Sequence, residues 1–427
     1  MSSLHKLKSI MKKQSNVTTR RIAVFHDRFR TIGGSEKLAL ILANSIGCDV
    51  IAAEVDQKVL KKLGFGNVKV IPLGEKVLFP FMLSVMWKKR FLECDLSSQY
   101  DFFIFSGNFS IYAAKKHTPN IWYCHTPPKW QRIPSFYQKT IYNLVLTAKN
   151  KLTKKRLLPP FISKKIDYIF DFLPRFIAAR YREMKVGLRG NIWQMFSTYT
   201  TYKKYSPSKK SDFAATRAID SIVVNSHNIQ KKVQKHYGRE SLVIYPPVDC
   251  DYFAHRKNGN FWLSVNRMIP AKRVEMQIEA FRRLPNETLV IVGECEEHHK
   301  KYSEKILKKL PRNVIYKGVV SEEKLRVLYA NCAGFITTAE DEDFGMTPVE
   351  AMASGKPVIA PNEGGYKETV INGNTGILID NISPKKIIEA VKKLGKNPLK
   401  YKDACIKQAR KFDTKVFVKK IKEKIRL

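Results

Sequence analysis

Gly334-Phe-Ile-Thr-Thr-Ala-Glu-Asp-Glu-Asp-Phe-Gly-Met-Thr-Pro-Val-Glu350 joins a short apolar run to a helical pattern through an acidic loop that contains a glycine. The apolar residues 334–337 predict a buried strand, and the residues after the loop predict the first turns of a helix. The loop then lies at the carboxyl end of a strand, where open α/β sheets bind their ligands. This stretch therefore predicts an α/β fold with a binding site in the loop.

Two carboxylates, Glu342 and Glu350, lie on either side of a row of backbone N–H groups in this stretch. N–H groups at a helix start can receive a phosphate, and carboxylates can accept hydrogen bonds from the hydroxyls of ribose or hexose. The pattern suits a sugar nucleotide. The same residues also fit a capping box, in which Thr347 is the N-cap, Pro348 follows it and Glu350 reaches back, so a purely structural role stays open at this point.

The rest of the chain repeats the alternation of strand and helix. Gly33 and Gly34 form a turn after the first predicted strand, and Ser35 is the predicted N-cap of the following helix. Such alternation is expected for parallel sheets that are covered by helices on both faces. The predicted strands are residues 21–25, 50–53, 68–71, 102–105, 121–123, 221–224, 261–265, 288–292, 314–316, 334–337, 357–360 and 376–378.

The length of 427 residues is too great for one ordinary core and favours two domains of roughly 200 residues each. Two adjacent prolines, Pro246 and Pro247, indicate a stiff connector between them. A basic, aromatic segment at about 129–210 breaks the alternation and predicts a helical insertion. We predict a basic lead over residues 1–20, a first Rossmann-like domain over 21–248, a second over 249–405, and a C-terminal helix over 406–427 that packs back on the first domain.

The net charge of +39, from 77 Lys and Arg against 38 Asp and Glu, indicates an anionic partner. Nucleic acid, an anionic membrane surface and an acidic substrate are the three candidates. The excess of positive charge is concentrated at residues 149–210, which contain sixteen Lys and Arg and only three Asp and Glu. Mixed with aromatic side chains, these cations suit a membrane surface. The alternative is that the segment packs its aromatics internally and leaves its lysines in water.

The cysteines and the apolar runs bear on the compartment. Seven scattered cysteines contain no C-x-x-C pair, which favours a reducing cytosol over a disulfide framework or a zinc site. The N-terminal residues contain no apolar stretch of signal-peptide length, and no window approaches the ~20 apolar residues that a spanning helix needs. We therefore expect a cytoplasmic protein that binds the inner face of the cell membrane peripherally.

Two cations, Arg267 and Lys272, follow the first predicted strand of the second domain. At a strand-to-helix junction they can neutralise a diphosphate, and arginine offers the planar fork that matches phosphate oxygens. They lie at the same predicted sheet edge as Glu342 and Glu350. The sequence therefore predicts that acidic and cationic side chains converge on one activated sugar.

This constellation resembles the family 4 glycosyltransferases, which are retaining enzymes with the two-domain GT-B fold. The resemblance runs from about residue 21 to the C-terminus, and the segments 123–127, 224–226 and 244–249 are similar to the branch that contains O-antigen mannosyltransferases. It implies two doubly wound, Rossmann-like domains that face a cleft, with the nucleotide sugar bound by the second domain. The residues that carry it are Glu342 and Glu350 in a Glu-x7-Glu spacing, Arg267, Lys272, Gly33, Gly34 and the run at 355–358.

The resemblance also implies a role for each site residue. Glu350 is expected to bind the ribose hydroxyls, and Glu342 those of the transferred sugar. Arg267 and Lys272 are expected to hold the diphosphate, and His125 to hydrogen-bond the donor sugar near its anomeric carbon. The remaining donor-binding residues, which act through their backbone or allow its close approach, are Gly33, Gly34, Phe344, Gly345, Met346 and Thr347.

The implied reaction transfers a hexose from a nucleotide diphosphate sugar with retention at the anomeric carbon. The leaving phosphate takes the acceptor's proton and protein cations stabilise its charge, so neither a metal nor a cofactor is expected. GDP-mannose is the expected donor, with UDP-linked hexoses left open. The expected acceptor is a lipid-linked or growing glycan.

Three other functions compete with this interpretation. A dinucleotide-dependent oxidoreductase would carry G-x-G-x-x-G after the first strand, and residues 27–34 do not match that pattern. A nucleic-acid-binding protein would explain the charge, but no recognised nucleic-acid module is present. A non-catalytic partner of another transferase would keep the fold; the presence of both glutamates and both cations argues against it.

Overall fold

The computed structural model describes residues 20–31, 33–77, 82–128, 201, 204–205, 207–256, 259–296 and 299–426. The predicted basic lead, apart from residue 20, and most of the predicted insertion at 129–210 lie outside these residues. The chain divides into two compact units, one of Met1–Trp122 with Pro128–Ser221 and one of Tyr123–Pro127 with Ile222–Leu427. No helix among the described residues is long and apolar enough to cross a membrane.

The first sheet has seven strands, and β1 (Ile22–His26) pairs in parallel with β2 (Asp49–Ala52) and with β4 (Phe102–Ser106). All five residues of β1 and of β4 are buried, as expected for a parallel sheet covered on both faces. The other strands are β3 (Val70–Pro72), β5 (Asn120–Cys124), β6 (Ser221–Val224) and β7 (Leu242–Val243). The strand order is β3-β2-β1-β4-β5-β6-β7.

Helices fill the connections of this sheet. The helix after β1 begins at Gly34 with Gly33 as its N-cap and has no side-chain cap, so the prediction that Ser35 caps it is wrong. The Ser35 hydroxyl donates instead to Glu36 Oε2 at 2.8 Å. The described helices are α1 (Gly34–Ile46), α2 (Gln57–Lys62), α3 (Leu83–Glu93), α4 (Lys209–Arg217) and α5 (His227–Tyr237).

The second sheet is also parallel and has six strands. Its central strand β8 (Phe261–Val265) pairs in parallel with β9 (Thr288–Val292) and with β11 (Gly334–Ile336). The remaining strands are β10 (Val314–Tyr316), β12 (Val358–Pro361) and β13 (Gly376–Ile379). The order β10-β9-β8-β11-β12-β13 reverses direction at β8, so the carboxyl ends of β8 and β11 form the topological switch point at which such sheets bind ligands.

The core of the second unit explains why the stretch 334–350 begins with a glycine. A Cβ on Gly334 would lie 2.6 Å from Cζ3 of Trp262, whose ring is fully buried on the neighbouring strand. Only glycine lets β11 approach β8 beside this ring. Besides α5, the described helices of this unit are α6 (Val274–Arg282), α7 (Lys300–Leu307), α8 (Glu322–Asn331), α9 (Met346–Ala353), α10 (Tyr366–Thr369), α11 (Pro384–Gly395), α12 (Lys402–Ala409) and α13 (Thr414–Ile425).

The fold class predicted from the sequence is confirmed: the chain forms two α/β domains, each with a parallel sheet. The observed strands fall within a residue or two of most predicted ones, because buried parallel strands read as continuous apolar runs. The predicted domain boundaries stay a prediction. The predicted packing of the C-terminal helix on the first domain also stays a prediction. Within the second unit, the ring of Phe417 in α13 packs against the ring of Tyr123 with centroids 5.9 Å apart.

Candidate functional site

The loops that follow β8 and β11 bring two predicted site residues together. Lys272 ends a short 3-10 helix, Pro270–Lys272, after β8, and its Nζ donates to Oε2 of Glu342 in the loop after β11. Their side chains are 18% and 23% exposed, so the pair is shielded but still reachable from solvent. A cation and a carboxylate therefore meet at the topological switch point of the second sheet.

Arg273, the neighbour of Lys272, ties the same two loops together. It has a left-handed backbone with φ 48°. Its Nε donates to the carbonyl oxygen of Thr338 at 2.7 Å, its Nη2 donates to that of Ala339 at 3.2 Å, and Nη2 also pairs with Glu363. Arg273 was not among the predicted site residues, because nothing in the sequence around it distinguishes it from a solvated arginine.

The start of α9 tests the capping-box interpretation of the 342–350 stretch. The N-cap is Gly345, with φ 89° and no side-chain cap, and the helix begins at Met346. The capping-box alternative, with Thr347 as N-cap, is therefore wrong, and Glu350 lies in the second turn. A Cβ on Gly345 would lie 2.7 Å from Tyr366 Cε1, so both the backbone angle and the space require glycine.

This helix start has the properties of an anion site. The first N–H groups of a helix, here those of Met346 and Thr347, have no partner within the helix and carry partial positive charge. Phe344, which precedes the glycine, is 2% exposed and packs its ring against Tyr245 and Phe412, with centroids 5.5 and 5.3 Å away. The loop is thus anchored by an apolar side chain immediately before the backbone turns toward the helix.

Buried tyrosines orient both glutamates. The hydroxyl of Tyr329 donates to Oε2 of Glu350 at 2.7 Å, and the hydroxyl of Tyr366 lies 3.5 Å from Oε2 of Glu342. Burial, reinforced by these carboxylates, raises the pKa of both tyrosines well above the ordinary value, so the hydroxyls stay protonated and donate. Thr337, the residue after β11, shares a 2.8 Å hydrogen bond with Tyr366 and fixes its ring.

Helix α5 holds the residues on either side of Glu342. Lys232 Nζ lies 2.8 Å from Asp341 Oδ2 and 3.3 Å from Asp343 Oδ1, and the Ser226 hydroxyl donates to the carbonyl oxygen of Asp343 at 2.6 Å. Burial alone would lower the pKa of Lys232, but the hydrogen bond to Asp341 and the charge of Asp343 outweigh it and raise that pKa. Burial raises the pKa of Asp343. Lys232 is a second residue that sequence reasoning missed.

The structure does not join Arg267 to this pair. Its side chain is 58% exposed, and its Nη1 lies 2.7 Å from Glu296 Oε1. Its loop is nevertheless tied to the loop after β9 by a 2.8 Å bond from the backbone N–H of Met268 to the carbonyl oxygen of Glu294. A diphosphate role for Arg267 stays a prediction.

The three remaining predicted residues lie elsewhere in the chain. His125 follows β5, where its ring packs edge-on against Tyr123 at 5.3 Å and its carbonyl oxygen accepts from Asn225 Nδ2 at 2.9 Å. Gly33 and Gly34 open α1, and a Cβ on Gly33 would lie 2.5 Å from Glu36 Oε2. Their proposed contacts with a donor stay predictions. Within the described ranges, no cluster of three His, Cys, Asp or Glu side chains could hold a metal ion.

The region that contains Lys272 and Glu342 is similar to a known family. Residues 251–412 match the family described as glycosyl transferases group 1. The chain is 29% identical to the alpha-1,3/1,6-mannosyltransferase ALG2 of Dictyostelium discoideum over 44% of this chain and 55% of that relative. It is 26% identical to the O-antigen chain mannosyltransferase RfbU of Salmonella typhimurium over 36% of this chain and 45% of that relative. The chain thus spans about half the length of the curated relatives that it matches.

Solved structures support the fold over nearly the whole chain. The Anabaena protein Alr3699/HepE, crystallised with UDP and glucose, superposes with a TM-score of 0.64 at 16% identity, covering 95% of this chain and 99% of that one. At this level of identity the likeness concerns the fold alone. It confirms the GT-B fold that the sequence predicted.

Proposed function

We propose that the protein is a retaining mannosyltransferase that uses GDP-mannose as its donor and a lipid-linked or growing glycan as its acceptor. One observation carries the proposal: the Lys272–Glu342 pair lies at the switch point of the second sheet, within the region that matches glycosyl transferases group 1. Switch points of this kind are where wound sheets bind nucleotides. The mannosyltransferase relatives support mannose as the transferred sugar.

The site residues fit the parts of a nucleotide sugar. The helix start at Met346 offers N–H groups to a phosphate, and Lys272 offers a cation that is already drawn to this point by Glu342. Glu350, held by Tyr329, is proposed to accept hydrogen bonds from ribose, and Glu342 from the hexose. In the free protein Glu342 balances the charge of Lys272. The arriving diphosphate takes over that role and leaves Glu342 to the sugar hydroxyls.

The proposed chemistry is electrostatic. As the bond from the anomeric carbon to the diphosphate breaks, negative charge grows on the leaving oxygen, and Lys272, assisted by Arg267 and the helix start, stabilises that charge. The leaving phosphate takes the proton of the acceptor hydroxyl, and the acceptor oxygen bonds to the same face of the sugar. His125 is proposed to hold a sugar hydroxyl beside the reacting carbon. This scheme requires no metal and no cofactor.

A panel of donors tests the proposal. The protein is heated with GDP-mannose, GDP, UDP-glucose or UDP, and the shift in Tm is followed by radiolabelled transfer to a lipid-linked glycan. We expect GDP-mannose and GDP to raise the Tm, because a ligand that binds only the folded state stabilises it, and mannose to be transferred. Stabilisation by UDP-glucose alone would mean that the donor is a UDP-linked sugar, while the proposed binding site would stand. Stabilisation by none of the four would overturn the proposal.

A further inference from the structure

A second cationic site lies in the first unit, on the segment that follows β1. The backbone N–H of Phe29 donates to the carbonyl oxygen of Glu54 at 2.9 Å, so residues 28–30 run extended beside the segment after β2. Side chains alternate along an extended segment. Phe29 is fully buried on one face, and Arg28 and Arg30, both half-buried, therefore share the other.

Two groups hold these guanidiniums in place. The guanidinium carbon of Arg28 lies 4.6 Å from the ring centre of Trp87, a cation–π contact. Nε of Arg30 lies 3.4 Å from Oε1 of Glu54, and the indole N–H of Trp87 donates to Oε2 of the same carboxylate at 3.2 Å. Arg28, Trp87, Glu54 and Arg30 thus form one connected cluster. Glu54 is 1% exposed, so its position is fixed.

The cluster has unused binding capacity for an anion. Nη1 of Arg30 is buried and has no hydrogen-bond partner among the described residues, although 26% of the side chain is exposed. A buried N–H without an acceptor is unfavourable, and an oxygen that enters beside it removes that cost. Glu54 offsets only one of the two positive charges. Arg90 adds a third positive charge nearby, but its Nη1 and Nη2 donate to the carbonyl oxygens of Ala53 and Glu75 at 2.6 and 2.7 Å.

We propose that Arg28 and Arg30 form a binding site for a phosphate or diphosphate group, which in this protein belongs to the acceptor. Two planar guanidiniums on one face, spaced by two residues of extended chain, offer paired N–H groups to neighbouring phosphate oxygens. The assignment to the acceptor rests on the function proposed above. The site itself rests only on the geometry of the first unit.

Inorganic pyrophosphate is the probe for the site, and titration calorimetry on the full chain is the measurement. Saturating GDP is present throughout, so that the diphosphate position of the donor is filled. The variants are Arg28→Gln, which leaves the Arg30–Glu54 pair intact, and the double variant Arg28→Gln/Arg30→Gln. Arg21→Gln is the matched control, because Arg21 belongs to the same unit, is 59% exposed and pairs with Asp101.

We expect pyrophosphate to bind the wild type and Arg21→Gln equally, and to bind the double variant about tenfold or more weakly, as expected when charge-assisted hydrogen bonds are lost. Equal binding to the wild type and the double variant, or equal losses in Arg21→Gln, would overturn the site. Circular dichroism verifies that each variant is folded. If the double variant is not folded, Arg30→Lys, which keeps the charge beside Glu54, replaces Arg30→Gln in it.

A kinetic measurement separates an acceptor phosphate from free phosphate. With a lipid diphosphate glycan as acceptor, we expect pyrophosphate to raise the acceptor KM of the wild type, and the double variant to show a raised acceptor KM with kcat retained. An acceptor KM that neither pyrophosphate nor the substitutions change would overturn the assignment to the acceptor. Stabilisation by GDP serves as the separate readout of the donor site, so a failure of the proposed function is recognised independently.

Discussion

Lys356 is a buried cation whose proton is coupled to folding. The residue is fully buried between α9 and β12, and its Nζ donates to the carbonyl oxygen of Arg256 at 3.2 Å. Burial lowers its pKa from 10.5 to about 8. Between these two values the unfolded chain keeps a proton that the folded chain has lost, so the free energy of unfolding rises with pH in that window.

We therefore predict that the wild type gains about 2 kcal/mol in its free energy of unfolding between pH 7.5 and 9.5 relative to Lys356→Met. Urea denaturation of both proteins at the two pH values measures the difference. Exposed Lys393→Met serves as the control for a general charge effect. Parallel pH profiles for the wild type and Lys356→Met would show that Lys356 is charged equally in both states.

The sequence predicted the meeting of Lys272 with Glu342 but not the position of the Arg267 side chain. Lys272 and Glu342 are 70 positions apart in sequence, and their meeting was predicted because both follow central strands of one sheet. Arg267 satisfied the same rule, yet it pairs with Glu296. Sheet topology determines which loops are neighbours, but the rotamer of a long exposed side chain depends on the carboxylate nearest to it, and the sequence does not give that distance.

At the scale of elements, α5 sets the position of the loop that carries Glu342. The backbone N–H groups of His227 and Asn228, at the start of the helix, donate to Glu368 at 2.8 Å, and Asn228 Nδ2 donates to the carbonyl oxygen of Glu342 at 3.2 Å. The bond from Asn228 Nδ2 and the pairing of Lys232 with Asp341 and Asp343 hold the loop, while the bonds to Glu368 tie the start of α5 to α10. Asp341 has a left-handed backbone with φ 45°, which needs such support.

We predict that Lys232→Ala raises the KM for the donor by roughly tenfold, because Asp341 and Asp343, the half-buried neighbours of Glu342, lose their shared cation. Lys235→Ala, on an exposed face of the same helix, is the matched control and should behave like the wild type. Steady-state transfer kinetics measure both. A donor KM in Lys232→Ala equal to that of Lys235→Ala would mean that α5 has no effect on the site.

The two errors in helix starts follow the same pattern. Ser35 and Thr347 are good N-cap residues, but in both helices a glycine, Gly33 or Gly345, takes the N-cap position and the helix begins earlier. Capping preferences weigh the side chain alone. At Gly345 the positive φ and the close approach to Tyr366 require glycine at the turn, and the sequence does not show that approach.

The net charge of +39 over the full chain still needs a partner. The largest excess of positive charge falls at residues 149–210. Apart from its last part, this segment lies outside the described residues, so the role of the segment stays a sequence-based proposal. We propose that these cations attach the protein to an anionic membrane, where each contributes about 1 kcal/mol near the surface. A lipid-linked acceptor would then be within reach.

Co-sedimentation with vesicles that contain anionic lipid tests this attachment. We expect binding that weakens as salt is added and that is lost when seven bases of the segment become Gln. A control protein with the same charge change elsewhere should still bind. Loss of binding in both would show that only net charge matters, and unchanged binding in the first would contradict the proposal. The seven bases are Lys149, Lys151, Lys154, Lys155, Arg156, Lys164 and Lys165, and the control positions are Lys385, Lys386, Lys392, Lys393, Lys396, Lys419 and Lys420.

The central claim is that Lys272 and Glu342 act together on one nucleotide sugar. Its most direct measurement is the rate of mannose transfer from GDP-mannose by the wild type, Lys272→Ala and Glu342→Gln, with exposed Lys392→Ala and Glu389→Gln as matched controls and with Tm recorded for each. We predict that both site variants stay folded and lose transfer by about a hundredfold or more, since each removes a charge that the transition state uses, while the controls keep the wild-type rate. Wild-type transfer by a folded Lys272→Ala or Glu342→Gln would contradict it.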